Sequence, residues 1–515
     1  MRRLRLLPVA LVAALALTAG ACGGGGSSGG GTSSGGRASG GTLTLGATIA
    51  PNPWDLRGAG LNGAELQYYE AVYDSLIRLD PNANPTANLA TRWEWDATNT
   101  VLTLSLRSGV TFTDGSPLDA AAVVTNLLHT KDGTGEAAAA LRDVRKAEAV
   151  DAGTVRITLS EPDPSFLGNL GQSPGMIASP RAISDGSIKT KPVGSGPYTL
   201  SGPGTTVGSQ YTFIRNPKYW NAKAFPFDKV VIKVLADQTA RENALRSGQV
   251  DAAEVAPGRM ESLRGAGFNA SPVLTGDIEG LYLWDRGGTV CKPLGDVRVR
   301  QAINYAFDRA TIAKQLGGGF STPTEQLFHP DSSAYDKSLD KRYPYDPAKA
   351  KQLLAQAGYA NGFSCDELDF STLFPAAQAA ITQYLSAVGI TLTPKSIPVA
   401  QILTSLQSAE VPLSYFRLSA RRPWDTVRST IAKDAAWNPY HYSDPEVDRL
   451  IADTQRLTGG EQDKAFKSLN KYLVDQAWSA TWSVPQTAYA LKKSLSVTPE
   501  AFMSNPPLYR ISPAG

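Results

Sequence analysis

Short runs of alternating apolar and polar residues recur along the chain, separated by stretches in which apolar positions return every three or four residues. Val101–Leu106 places Leu102, Leu104 and Leu106 on one face, and Val155, Ile157 and Leu159 alternate in the same way, so both predict half-buried strands. Residues 43–47 and 229–235 predict two more strands. Residues 64–76 carry Leu66, Tyr69, Tyr73 and Leu76 at helical spacing and predict a helix, and a second follows over 239–247. Helices dominate the next half of the chain. Val299, Ile303, Ala306 and Phe307 mark one apolar face with Asp296 placed to cap it. Asp346-Pro347 opens a helix with Leu353, Leu354 and Ala357 inward and Gly358 to end it, and Asp444-Pro445 repeats the start signal before Val447, Leu450 and Ile451. Strands and helices are interleaved throughout, which makes the class α/β. No internal repeat of fixed period is present.

At 515 residues the chain exceeds one simple core, and a prior of ~150 residues per domain suggests about three. The N-terminal pattern differs from the rest. Arg2, Arg3 and Arg5 precede an almost wholly apolar stretch over residues 6–17, and Ala19, Gly20 and Ala21 stand just before Cys22. This reads as a secretion signal over residues 1–21. The apolar stretch is shorter than the roughly 20 residues that cross a hydrocarbon core. Small residues before a Cys resemble a bacterial lipobox, so Cys22 is the expected lipidation site, against an ordinary signal peptide cut nearby. Residues 22–41 are nearly all Gly, Ser and Thr, a flexible tether.

The formal net charge is +3, and loss of Arg2, Arg3 and Arg5 leaves a neutral mature chain, so no basic surface for nucleic acid is expected. With Cys22 lipidated, Cys291 and Cys365 remain. In an exported protein they read as a disulfide, with two separate buried thiols as the alternative. His129, His329 and His441 are far apart, so no metal or other cofactor is expected, and no Ser, His and Asp stand in a triad context, so no enzyme is expected.

Several segments are recognisable together. Tyr73-Asp-Ser-Leu-Ile-Arg-Leu-Asp80, Leu106-Arg-Ser-Gly-Val-Thr-Phe-Thr-Asp-Gly-Ser-Pro-Leu118 and Gly194-Ser-Gly-Pro-Tyr198 resemble the family 5 solute-binding proteins of ABC importers, which include dipeptide, oligopeptide and nickel-binding members. Asn216-Pro-Lys-Tyr-Trp220, Ala244-Leu-Arg-Ser-Gly-Gln-Val-Asp251, Val299-Arg-Gln-Ala-Ile-Asn-Tyr-Ala306, Tyr345-Asp-Pro-Ala-Lys-Ala350 and Tyr442-Ser-Asp-Pro-Glu-Val-Asp448 continue it in the family's order. The resemblance implies a type II, cluster C periplasmic-binding-protein clamp of two lobes with an additional domain inserted in the first. Domain I would comprise residues 42–74, 192–272 and 486–515, domain II 75–191 and domain III 273–485. It further implies a monomer, held outside the membrane by lipid, that captures a peptide or peptide-like solute and delivers it to permease subunits. The alternatives are a non-peptide anionic solute such as a sugar acid or opine-like compound, or a sensor without a transport role.

In the family's peptide-binding members, a segment like Leu413 to Asp425 supplies an Asp that pairs with the peptide's amino terminus. Here Arg421 stands at or beside that Asp, with Asp425 a few residues later. An Arg fork pairs bidentately with carboxylate or phosphate, so Arg417, Arg421 or Arg422 in the cleft would imply an anion, whereas pairing with acids of the same lobe would not. Trp424 would stack on a ligand or cap the core. Trp54 and Asp55, in the loop after the first strand, and Trp284, at a strand end near the expected hinge, complete the expected ligand contacts.

Overall fold

The computed structural model describes residues 40–51, 54–61, 63–398, 401–503 and 505–514. The signal stretch, Cys22 and the tether through residue 39 lie outside the described residues.

The first lobe is built on a seven-stranded sheet. In spatial order its strands are Tyr198–Leu200, Gln210–Arg215, Lys229–Val234, Thr42–Ala47, Ala252–Val255, Gln486–Lys492 and Phe268–Leu274. Thr42–Ala47 runs parallel to both of its neighbours, Lys229–Val234 and Ala252–Val255, and buries Leu43 and Leu45. The inserted domain is a four-stranded antiparallel sheet in the order Ala90–Trp95, Val101–Leu106, Thr154–Leu159 and Val144–Asp151. Leu102 pairs with Ile157 and Leu104 with Val155, so the two alternating stretches expected as strands lie side by side with their apolar faces in one core. The second lobe carries the sheet Thr322–Pro323, Ala480–Val484, Asp277–Leu283 and Leu413–Ser419 within a shell of helices.

The chain passes between the seven-stranded sheet and the second lobe's sheet twice, from Leu274 to Asp277 and from Val484 to Gln486. These crossings are adjacent, since Thr275 N–H donates to Pro485 O at 3.0 Å. Paired extended crossings of this kind are where a clamp bends, because few residues have to change dihedral angles.

Helix starts follow the expected caps. Asp296 accepts from Arg298 N–H, Asp346 from Lys349 N–H, and Asp444 from Glu446 and Val447 N–H. The helix expected over 64–76 is Gly63–Val72 and stops early. Beyond it, Asp74–Ser75 pairs with Met176–Ile177, so Leu76 and Ile77 enter the inserted domain's core and not a helical face. Asp74 also joins two of the recognised segments: its buried carboxylate accepts from Tyr219 Oη at 2.8 Å and Trp220 Nε1 at 2.9 Å. Gly194 and Gly196 lie flat against Val72, where a Cβ would meet its backbone at 2.0 and 2.5 Å. Cys291 and Cys365 form a disulfide in the second lobe's core, Cα atoms 5.7 Å apart.

Candidate functional site

Where the lobes meet, a cavity of about 370 Å³ opens between the inserted domain and the second lobe. One wall comes from Asn82, Asn84, Trp95 and the turn Pro162 to Ser165; the other comes from Asp331, Trp424, Gln455 and Phe466. A neighbouring cavity of about 350 Å³ shares Asn82 and Asp331 with it and reaches the crossing strand at Leu274 and, near the C-terminal end, Glu500. Burial pushes the Glu500 carboxyl up to about 7, against hydrogen bonds from Tyr509 and Arg510 that hold it down. Near neutral pH it therefore both accepts and donates. Amide, hydroxyl and carboxylate groups set among Trp and Phe rings form a lining that suits a small polar solute with apolar parts.

The seven expected contacts separate on this geometry. Arg421 reaches the lobe junction: its Nη1 is 4.0 Å from Glu136 Oε2, and its Cγ lies against the hinge residue Gly276 beside Phe502 O. Of the seven only Trp424 lines the larger cavity; Asp425 lies 3.9 Å from Arg422, which lines it as well.

The other four are held elsewhere. Trp54 packs edge-on against Tyr69, Tyr211 and Phe213 in the first lobe's core, because a sheet face with so many rings fills its loop side with indole. Asp55 caps the turn Leu56–Gly58 through Arg57 N–H and bonds His129 Nε2 at 2.8 Å. Trp284 is 1% exposed, stacks on Tyr282 and donates Nε1–H to Ser414 Oγ. Arg417 lies directly across from Glu279 in the strand register and donates Nε–H and Nη2–H to Glu279 Oε2 at 3.0 and 2.9 Å. Glu279 is buried and also accepts from Tyr415 and Ser483, so Arg417 neutralises a buried carboxylate within its own lobe. In this structure these four residues pack or cap; they do not line the cavity.

Arg422, one of the three arginines read as cleft candidates, and Arg428, which the chain's pattern did not single out, carry more of the junction. Arg422 donates to Asn169 Oδ1 at 2.8 Å and Gly168 O at 3.0 Å, and Arg428 donates to Asp163 Oδ2 at 2.7 Å. The turn residues Pro162, Asp163 and Pro164 were the available signal, since paired prolines flanking an Asp fix a rigid loop. Among the described residues no three His, Cys, Asp or Glu are arranged to hold a metal ion. His129 is taken by Asp55, His329 by Thr275 O and His441 by Lys433 O.

Two lobes, a double crossing and a cavity walled from both sides define a solute-binding clamp. The family model for bacterial extracellular solute-binding proteins, family 5, matches residues 84–435, and the chain belongs to that family. It is 29% identical over 436 residues to the glutathione-binding protein GsiB of Pectobacterium atrosepticum, covering 80% of this chain and 82% of that protein. Among solved structures it superposes on HbpA2 from Haemophilus parasuis with a TM-score of 0.82 at 19% identity, covering 92% of this chain and 100% of that one. DppA from Helicobacter pylori, solved with the peptide STSA, matches with a TM-score of 0.72 at 22% identity, covering 93% and 99%. The fold is therefore that of the type II periplasmic binding proteins, as the recognised segments implied. No helix among the described residues is long and apolar enough to cross a membrane.

Proposed function

We propose that this protein is the extracytoplasmic binding component of an ABC importer, which encloses a peptide or peptide-like solute between its lobes and presents the closed form to a permease. The observation that carries this reading is the cavity walled by both lobes beside the double crossing at Thr275 and Pro485. Domain I would comprise residues 42–74, 192–272 and 486–515, domain II 75–191 and domain III 273–485, with motion about the crossings. A lipid on Cys22 and the tether to residue 41 would keep a monomeric clamp beside the membrane, where binding energy favours closure and no bond of the solute has to change.

GsiB is named for glutathione, a small peptide with two carboxylates, and one observation favours an anionic group at the lobe junction. Arg421 stands at the junction with its nearest acid, exposed Glu136, 4.0 Å away. Arg417 and Arg422 give no such support, being committed to Glu279 and to Gly168 and Asn169. Titration calorimetry of the purified protein with glutathione, dipeptides, tripeptides and a panel of sugar acids separates these classes. Peptide binding that persists in Arg421→Ala supports peptide capture with Arg421 outside the contact. Binding confined to sugar acids would replace it.

A further inference from the structure

The second lobe grips the inserted domain through a segment with an uncommon backbone. After the short helix Pro423–Thr426 the chain widens into a π-type turn over Val427–Ile431, closed by Ala432 N–H bonding to Val427 O at 2.8 Å, five residues back. Such wide turns are rare and concentrate at functional positions. This one carries Arg428 across the junction. Arg428 Nη1 donates to Asp163 Oδ2 at 2.7 Å, and Nη2 lies 2.6 Å from Asp143 Oδ2, off the hydrogen-bond axis but in ion-pair contact. The Asp163 side chain is 1% exposed, so one guanidinium from the second lobe faces two acidic side chains of the first in a setting with little water, where burial pushes the Asp163 carboxyl up to about 8.

Arg422 makes a second crossing on the same segment. Its Nη2 donates to Gly168 O, and it fits because residue 168 is glycine: a Cβ there would stand 2.5 Å from Arg422 Nε.

Closure also has a cost at this interface. Ser165 Oγ, Arg422 Nε, Trp424 Nε1 and Thr426 Oγ1 are buried with no hydrogen-bond partner. Parting the lobes would return water to groups such as these, so the closed arrangement sets charge pairing against unmet polar groups. Balanced opposing terms of this kind give two accessible states and not one rigid one.

We propose that Arg428, with Asp143 and Asp163, is a clasp that holds the lobes closed with no solute between them, so that the empty protein exchanges between closed and open forms. The clasp rests on the two-lobed hinge and is independent of what the solute is. It implies that solute enters during openings whose frequency Arg428 sets.

Hydrogen–deuterium exchange on the full chain without solute tests it, comparing wild type, Arg428→Gln and the triple Asp143→Asn, Asp163→Asn, Arg428→Gln. Breaking a buried pair by removing one partner leaves uncompensated charge. In Arg428→Gln, amides of residues 163–170 and of 422–432 should therefore exchange at least about tenfold faster together, though they belong to different lobes, while those of Thr42–Ala47 stay unchanged. The triple variant, which removes the unpaired acids together with the guanidinium, should regain most of the protection. Unchanged exchange at 163–170 in Arg428→Gln would overturn the clasp. So would acceleration confined to 422–432, which is what local loosening of the turn alone would give. Adding glutathione and a dipeptide mixture distinguishes the two claims: if neither alters exchange in any variant while Arg428→Gln accelerates both segments, the clasp stands and peptide capture fails.

Discussion

Replacing Cys291 and Cys365 by Ser should lower the melting temperature of the second lobe and leave the first lobe's transition in place. The disulfide joins the loop after strand Asp277–Leu283 to strand Phe363–Leu368, across a sequence separation of 74 residues. Closing a loop of that length removes chain entropy from the unfolded state corresponding to about 4 kcal/mol. Both cysteines are buried in the second lobe's main core, and Cys291 N–H donates to Asp285 Oδ2 at 2.8 Å, so the folded side needs little rearrangement once the bond is absent. For a lobe of about 200 residues that loss corresponds to roughly 10 °C. Differential scanning calorimetry with and without reductant, on wild type and the double Ser variant, measures it. Reductant should shift the wild-type second-lobe transition and leave the variant unmoved. A shift below about 3 °C would refute the entropy reasoning. An equal shift of both transitions would show that the lobes unfold as one unit, contrary to the separate cores seen here.

Glu367 is fully buried, bonded by Gln378 with its second oxygen unpartnered, and burial pushes its carboxyl up to about 7. The folded value lies above the unfolded one, so the penalty is absent below about pH 4.5, grows as pH rises and is complete above about 7. Glu367→Gln should therefore stabilise the second lobe by on the order of 3 kcal/mol at pH 8 and by little at pH 4, and an equal gain at both would contradict the assignment. Arg417→Met should cost about 2 kcal/mol in urea unfolding by leaving Glu279 unpaired, yet leave solute affinity within about twofold, since Arg417 does not line the cavity; a large affinity loss would return it to the site. Gly168→Ala puts a methyl group against Arg422 and should weaken solute binding about tenfold by titration calorimetry without unfolding the protein, whereas unchanged affinity would mean that Arg422 does not support closure.

The local elements were legible where a single physical signal dominates. Asp296, Asp346 and Asp444 announce helices because a carboxylate before the first turn meets otherwise unpaired N–H groups. Strand alternation at Leu102, Leu104, Val155 and Ile157 follows from one wet and one dry sheet face. The helix end at Val72 was missed because Leu76 is claimed by a pairing with a segment a hundred residues away, which no local period records. The same limit governs the site. Trp54 reads as a loop aromatic until Tyr211 and Phe213 arrive on another strand to enclose it, and Arg417 reads as a free fork until strand register sets Glu279 opposite. Arg421, Trp424 and Asp425 share one segment, which runs to the lobe junction and places Trp424 in the cavity wall. The partners of Arg422 and Arg428, at residues 143–172, come from the inserted domain, and only the folded chain brings them together.

Native mass spectrometry of the protein purified without unfolding, with identification of any released molecule, tests solute capture between the lobes most directly. The account predicts a bound species of peptide or peptide-like chemistry, released on unfolding and diminished when Trp95 and Phe466 on opposite cavity walls are replaced by Ala. A bound species unaffected by both replacements, or a protein that neither carries nor takes up any peptide offered to it, would contradict the account.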